Sequence, residues 1–274
     1  AGAMTCFQES QAISQALEYR SGEANALLGL GRIALFRPIR IADVARYDYD
    51  AAHDHLERAY IIHKELCDPG GTAYATVLLA HLAFNQGNHS QARALAEESL
   101  AVASQAGFPY LWPYEILSSI LFFVEGDLEG ARSMEEQGLA ALHLTQEGKG
   151  MIAGCLMELG DIATRQRDFD AAHTYMDQGM ALMRELGNKQ QVREYFLWLA
   201  ELYQAEGNYT RAIQCYRAIM VEAKRNTGLL TPYLVALTNL VAKLGRYELA
   251  ATLLGTIDAL DESGFRVWPL HRAD

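Results

Sequence analysis

Gly207-Asn208-Tyr209-Thr210-Arg211-Ala212 is the stretch that decides the fold. It joins a residue suited to tight backbone geometry to a short polar one, an aromatic ring and, three positions further on, a side chain no larger than a methyl. That order suits a sharp junction between two helices that approach closely. The pattern recurs: Tyr47-Asp48-Tyr49 precedes Ala52, Gly87-Asn88-His89 precedes Ala92, Gly126-Asp127-Leu128 precedes Ala131, Arg167-Asp168-Phe169 precedes Ala172, and Gly245-Arg246-Tyr247 precedes Ala250. The six alanines stand 40, 39, 41, 40 and 38 residues apart. A repeat of that length without strand signals means stacked helical hairpins, each burying its apolar face only against its neighbours. The expected fold is all-α, a right-handed superhelical solenoid of about six hairpins.

Working outward from each junction, the preceding segment is apolar at three- and four-residue steps and free of internal proline, as in 152–166 and 192–206. These are the first helices. The segment after each junction, such as 170–186, is the second, and it closes on Gly107, Gly148, Gly187, Gly228 or Gly264, where glycine suits a helix C-terminus. Half of the 274 residues are hydrophobic and no tract is of low complexity, which excludes a disordered chain. With 23 Lys and Arg against 34 Asp and Glu the net charge is −11, which argues against direct nucleic-acid contact. Cys6, Cys67, Cys155 and Cys215 are widely spaced, which suits a reducing cytoplasm and neither a disulfide framework nor a zinc cluster. The most apolar stretch, 110–124, holds Pro113 and Glu115 and is too short and polar to span a membrane.

Leu159-Gly160 ahead of Ala163, the Gly-Asn-Tyr turn at 207–209, and Ala212 with Tyr216 resemble the signature of the tetratricopeptide repeats. The resemblance covers nearly the whole chain, with repeats expected at 23–68, 71–107, 110–148, 149–188, 189–228 and 229–264 and a tail at 265–274. Units of about forty residues are similar to those following the ATPase module in bacterial signal-transducing transcription regulators, the relatives of the maltose-regulon activator and other LuxR-type proteins. Leu253-Leu254-Gly255, Ala259-Leu260, Gly264, Pro269 and Arg272 resemble their closing segment. The resemblance implies a cytoplasmic, non-enzymatic sensor of a protein, a peptide or a small inducer, with linked ATPase and DNA-binding domains in a parent protein. Ala1-Gly2-Ala3-Met4 reads as a cloning remnant, and 8–19 as a second helix whose first helix lies upstream. A capping helix is the alternative.

In such arrays the first helices line the concave face, so the resemblance places candidate binding residues by counting back from each junction. They are Tyr74, His81, Phe84 and Asn85 in the second repeat, and Ile120, Phe123 and Val124 in the third. Asp161, Thr164 and Arg165 follow in the fourth, Glu194, Glu201 and Gln204 in the fifth, and Asn239 and Lys243 in the sixth. The first half of this set is apolar and aromatic, the second polar with both charge signs, which suits a protein or peptide segment with one apolar end. A superhelix that covers its own groove is the other reading. Phe108, Tyr110, Trp112, Tyr114, Phe122 and Phe123 form either core between repeats or an exposed anchor patch, with helix formation expected near Trp112.

No metal or cofactor is expected. His53 and His55 stand two apart, so a helix points them to different faces, and His63 is remote. The 148–150 Gly-Lys-Gly run lacks the glycine and hydroxyl residue of a phosphate loop, and Glu158, Asp161 and Glu201 lack an accompanying nucleophile. Asn88-His89-Ser90 and Asn208-Tyr209-Thr210 match a glycosylation sequon but fall in junctions, where Ser90 and Thr210 are expected to cap the following helices. The first hairpin carries nine extra residues: Gly31 to Tyr47 spans 16 where Gly160 to Arg167 spans 7. This insertion, with Arg37, Arg40 and Arg46, is expected to be a solvated linker or a partner-contact loop.

Overall fold

The computed structural model describes residues 2–36, 39–41, 44–46, 48–108, 110–143, 148–187, 189–223 and 230–262. Among them run thirteen α-helices. The extra helix α1 (Gly2–Ala16) precedes six hairpins: α2 (Arg20–Phe36) with α3 (Tyr49–Glu65), α4 (Pro69–Asn85) with α5 (His89–Gln105), α6 (Trp112–Ser119) with α7 (Leu128–His143), α8 (Lys149–Gln166) with α9 (Phe169–Glu185), α10 (Lys189–Ala205) with α11 (Tyr209–Ala223), and α12 (Leu230–Lys243) with α13 (Tyr247–Glu262). The chain divides into two compact units, residues 1–39 with 47–148 and residues 149–274 with 40–46.

Each junction is made by the residues that repeat. Asp48, Asp168 and Asn208 turn a side-chain oxygen back to the backbone N–H three residues on, at 3.0, 3.2 and 3.3 Å. Such a cap contributes about 1 kcal/mol to a helix. Asn88 begins α5 without that bond. The caps are therefore the Asx residues; Ser90 and Thr210, expected in that role, already lie inside α5 and α11. Gly207 has φ +80°, which an L side chain adopts only under strain. Gly87, Gly126 and Gly245 share the left-handed region, and in the fourth hairpin Arg167 takes it with φ +63°. The closing glycines Gly107, Gly148 and Gly187 also have positive φ, while Gly228 and Gly264 lie outside the described residues.

The alanines after the junctions are buried because the hairpin closes on them: Ala52, Ala92, Ala131, Ala172 and Ala212 have no exposed surface. A methyl added to Gly160 would stand 2.7 Å from Met176 Cγ and 3.5 Å from the Ala172 carbonyl. The same addition at Gly31 would meet Leu56 at 2.6 Å and the Ala52 carbonyl at 3.5 Å. Gly31 and Gly160 thus occupy one register position, and the extra residues of the first hairpin fall between them and the junction. Within that insertion, β1 (Ile39–Ile41) and β2 (Val44–Arg46) pair into a two-stranded sheet where a linker or loop was expected. Arg37 and Tyr47 lie outside the described residues.

Within each unit, apolar layers form between a hairpin and the next first helix. In the first unit one layer joins Leu27, Leu35, Leu56 and Leu78, and a second joins Val77, Ala96, Ile116 and Ile120. In the second unit Met157, Met176, Met183 and Leu202 form one, and Ala200, Tyr216, Ile219 and Leu240 another. Helix α1 packs on α2, with the Phe7 ring filling the space that Gly29 leaves open. Its Ile13 stays 60% exposed and Leu17, in the turn after it, 72%, so the apolar side of this end is uncovered among the described residues.

The third hairpin departs from the others. Helix formation does begin at Trp112, with Pro113 in the first turn. After Ser119 the backbone widens into a π-helix, Ile120–Glu125, which Gly126 ends with φ +70°.

Candidate functional site

In the first unit the aligned first helices α2, α4 and α6 bring aromatic and cationic groups together. Arg32 Nη1 donates to Tyr74 Oη at 3.1 Å. The Tyr74 ring packs against Trp112 and Tyr110, with centroids 5.5 and 6.5 Å away. Phe36 sets its ring edge-on to His81 at 5.3 Å. Burial drives the His81 pKa down to about 4, so the imidazole is neutral, and its Nδ1 is buried with no hydrogen-bond partner among the described residues. Tyr110 Oη is likewise buried and unpartnered, and burial raises its pKa.

In the second unit α8, α10 and α12 bring four of the expected residues together. Asp161 and Arg165, one turn apart on α8, pair at 3.4 Å. Glu201 on α10 is partly buried, and its pKa is pushed up to about 7, first by burial and then by the negative charge of Asp161, with Arg165 and Lys243 pulling the other way. Asn239 and Lys243 on α12 are exposed.

Counting back from the junction separates two kinds of position. The sixth residue back, His81, Asp161, Glu201 or Asn239, stays at least partly open, as does the second residue back, Asn85, Arg165 or Lys243. The third turns inward. Phe84 packs on His89 of α5 at 5.4 Å, Gln204 Nε2 donates to Tyr216 Oη of α11 at 2.8 Å, and Thr164 is buried, its hydroxyl bonded at 2.7 Å to the Gly160 carbonyl. These three are hairpin-facing, and Thr164 is no groove residue.

Ile120, expected to be exposed, is 1% exposed and belongs to the core. A π-turn inserts one residue into the helical repeat, so a count made backwards through 120–125 runs out of register. The same rotation leaves Phe123 49% and Val124 45% exposed, with the Phe122 ring 4.6 Å from that of Phe123. The aromatic cluster is therefore divided. Tyr110 and Trp112 pack on Tyr74, whereas Phe123 and Val124 form an outward patch. The side chain of Glu194 is not among those described.

Arg32 and Phe36 were missed. The insertion hides them from a count made back from Tyr47. Counting forward from Gly31, in register with Gly160, makes Arg32 the counterpart of Asp161 and Phe36 that of Arg165.

His63, 1% exposed, places Nδ1 2.9 Å from Asp68, the residue that caps α4. His53 and His55 lie apart from it, and among the described residues no group of three His, Cys, Asp or Glu is placed to hold a metal ion. No described helix is long and apolar enough to cross a membrane. Lys149 of the Gly-Lys-Gly run pairs with Glu185.

Residues 72–106 and 194–220 each match a family model described as a tetratricopeptide repeat. These segments cover α4 with α5 and most of α10 with α11. The chain thus carries tetratricopeptide repeats within an array of helical hairpins. No match is found among curated protein sequences. Among solved structures the chain is similar to BtubC (BKLC) from P. vanneervenii, with a TM-score of 0.63, 20% identity, and 82% of this chain and 91% of that one covered. It is also similar to a Rap protein complexed with Competence and Sporulation Factor, with a TM-score of 0.71, 14% identity, and coverage of 94% and 69%. Aspartyl phosphate phosphatase F from Bacillus subtilis matches with a TM-score of 0.67, 14% identity, and coverage of 96% and 66%. These likenesses establish the helical-repeat fold.

Proposed function

We propose that this chain is a non-enzymatic binding module that captures a protein or peptide segment on the faces of its first helices. The observation that carries the reading is the meeting of Asp161, Arg165, Glu201 and Lys243, from α8, α10 and α12, around one partly buried carboxyl. A stable core has no use for a carboxyl held in its less favoured environment, whereas a receptor face needs placed polar groups to set a ligand's register. Tyr74, His81, Asn85 and Asn239 complete the two faces, and Phe123 supplies an apolar anchor. A protein of similar fold has been crystallised with Competence and Sporulation Factor, which supports a bound partner here. The forty-residue units further suggest the sensor arm of a cytosolic bacterial transcription regulator of LuxR type, responding to a peptide, a protein or a small inducer. In that setting a ligand acts on linked ATPase and DNA-binding domains only through its different affinity for two states of the array.

Selection from a random peptide library on the intact chain tests the capture. Phe123→Ala and Arg165→Glu each weaken binding of the selected peptides several-fold while melting like the parent; early melting with binding retained contradicts the assignment. The exposed Ile13, Leu17 and Leu254 favour a second reading, a scaffold that self-associates through its terminal helices. Sedimentation over a concentration series separates the two, since a dimer indifferent to peptide supports the scaffold.

A further inference from the structure

A cavity of about 450 Å³ opens in the first unit between α5 and α7, the second helices of neighbouring hairpins. Tyr114 and Leu117 of α6, Leu121 of the π-helix and Met134 of α7 supply its apolar floor. Leu117 is 5% exposed and belongs to the apolar layer on which Met134 also packs, so the floor is the core itself. Two contacts fix α7 against α6. Ser118 Oγ donates to the Ala131 carbonyl at 3.2 Å, and a methyl added to Gly138 would stand 2.5 Å from Leu111 Cδ1 and 3.1 Å from Tyr114 Cβ. The walls are thus set before any ligand arrives. The π-helix makes the last of them: it puts Leu121 into the floor and brings Glu125, its final residue, within 2.5 Å of Arg93 on α5. A π-turn is rare and frequently marks a functional site. A preformed, largely apolar cavity of this size with a few polar groups at its rim is what small-molecule sites have in common.

We propose that this cavity binds a small amphipathic amine, an apolar chain or ring system ending in an ammonium group. The space holds about fifteen water-sized groups at roughly 30 Å³ each, enough for a chain of about eight carbons with its polar end. The rim decides the sign of that end. Arg93 is matched by Glu125, while the exposed Glu97, one turn further along α5, has no ion pair or hydrogen bond among the described residues. Gln137 Nε2 donates to Ser133 Oγ at 3.2 Å, which leaves the Gln137 carbonyl oxygen as an acceptor beside the Glu97 carboxylate. An ammonium finds both acceptors; a carboxylate meets the unmatched charge of Glu97 instead. The site lies apart from the first-helix positions assigned to peptide capture and does not depend on that reading.

Chain length and charge act on separate parts of the site, so they can be varied one at a time. Each methylene withdrawn from water strengthens binding, and hexylammonium should bind about tenfold more weakly than octylammonium. The carboxylate at the rim is solvated, so octylammonium is favoured over octanoate by only about two- to fivefold at low salt, and by less as salt is raised.

The probes are octylammonium, hexylammonium, octanol and octanoate, titrated into the intact chain by calorimetry and by methyl-resolved NMR. The expected result is saturable binding of octylammonium below about 1 mM, with shifts of the Leu117, Leu121 and Met134 methyls, and the order octylammonium, octanol, octanoate. Glu97→Gln brings octylammonium and octanol to equal affinity. Ser133→Trp, at an exposed position of the rim, fills the mouth and abolishes binding of all four. Both substitutions are at the surface, so both variants are expected to melt like the parent; should Ser133→Trp melt early, the methyl shifts on the parent locate the ligand without it. Octanoate binding as tightly as octylammonium overturns the proposal, as does a preference that survives Glu97→Gln. Binding that persists in a stably folded Ser133→Trp, shifts confined to other methyls, or no saturable binding of any probe also overturns it. A peptide selected on the first-helix faces binds Ser133→Trp like the parent, so the failure of either site is read without the other.

Discussion

Glu201 and His81 occupy the same place in their repeats, the sixth residue before the junction, and burial acts on them with opposite sign. For Glu201 the folded pKa of about 7 lies above the usual 4.5. Its contribution to stability is complete below pH 4.5 and is lost as pH rises through 7, by an amount on the order of 3 kcal/mol for a shift of this size. For His81 the folded pKa of about 4 lies below 6.5. That contribution is present above pH 6.5 and is lost as pH falls through 4. Between pH 4.5 and 6.5 the two slopes oppose, so in denaturant unfolding measured from pH 4 to pH 9 these two groups together are expected to give a plateau over that range, with a loss toward pH 4 from His81 and a fall complete near pH 7 from Glu201. Glu201→Gln removes the fall between pH 4.5 and 7 and leaves the curve above about pH 8 parallel to the parent's; a variant curve parallel to the parent's between pH 4.5 and 7 contradicts the assignment. Backbone strain belongs to the same scale. A Cβ on Gly207 meets no atom within 4 Å, yet φ is +80°. Gly207→Ala therefore costs about 1 to 2 kcal/mol from conformation alone, readable as a lower denaturation midpoint at unchanged slope.

At the scale of the element, the hairpins were legible because their junctions repeat. Asp168 and Asn208 cap, Gly207 turns and Ala172 and Ala212 let two helices touch, and each of these roles constrains one residue type at one spacing. The π-helix at 120–125 was not legible. Its six residues, Ile-Leu-Phe-Phe-Val-Glu, form an apolar run that suits an α-helix equally well, and the extra residue reveals itself only in which side chain meets the core. The shift moved Ile120 inward and Phe123 outward, while His81, Asp161 and Glu201 stay partly open. Arg32 and Phe36 were hidden for a similar reason, a change of length between their helix and its junction. Paired substitutions test the π register: Ile120→Ala costs about 2 to 5 kcal/mol, as for a buried aliphatic side chain, and Phe123→Ala less than about 1 kcal/mol. Equal losses from the two sites contradict it. Likewise, β1 and β2 had no counterpart in other repeats from which their pairing could be read.

At the scale of the whole molecule, each of the two units is a chain of nearest-neighbour interfaces, with its apolar layers shared between one hairpin and the next first helix. The periodicity carried the architecture, because stacking obliges every unit to present the same residue types at the same places. The ligand is another matter, since the open positions of the first helices are free to differ from repeat to repeat: His81, Asp161, Glu201 and Asn239 share a place and little chemistry. A face of that kind names its ligand only through the charges that converge on it. Amide hydrogen exchange of the intact chain, with and without a peptide selected on it, tests most directly whether the first helices are the binding face. The expected result is slowed exchange in the open turns of α8, α10 and α12 around Asp161, Glu201 and Asn239. Slowing confined to the second helices α9, α11 and α13, with those three turns unchanged, contradicts the account.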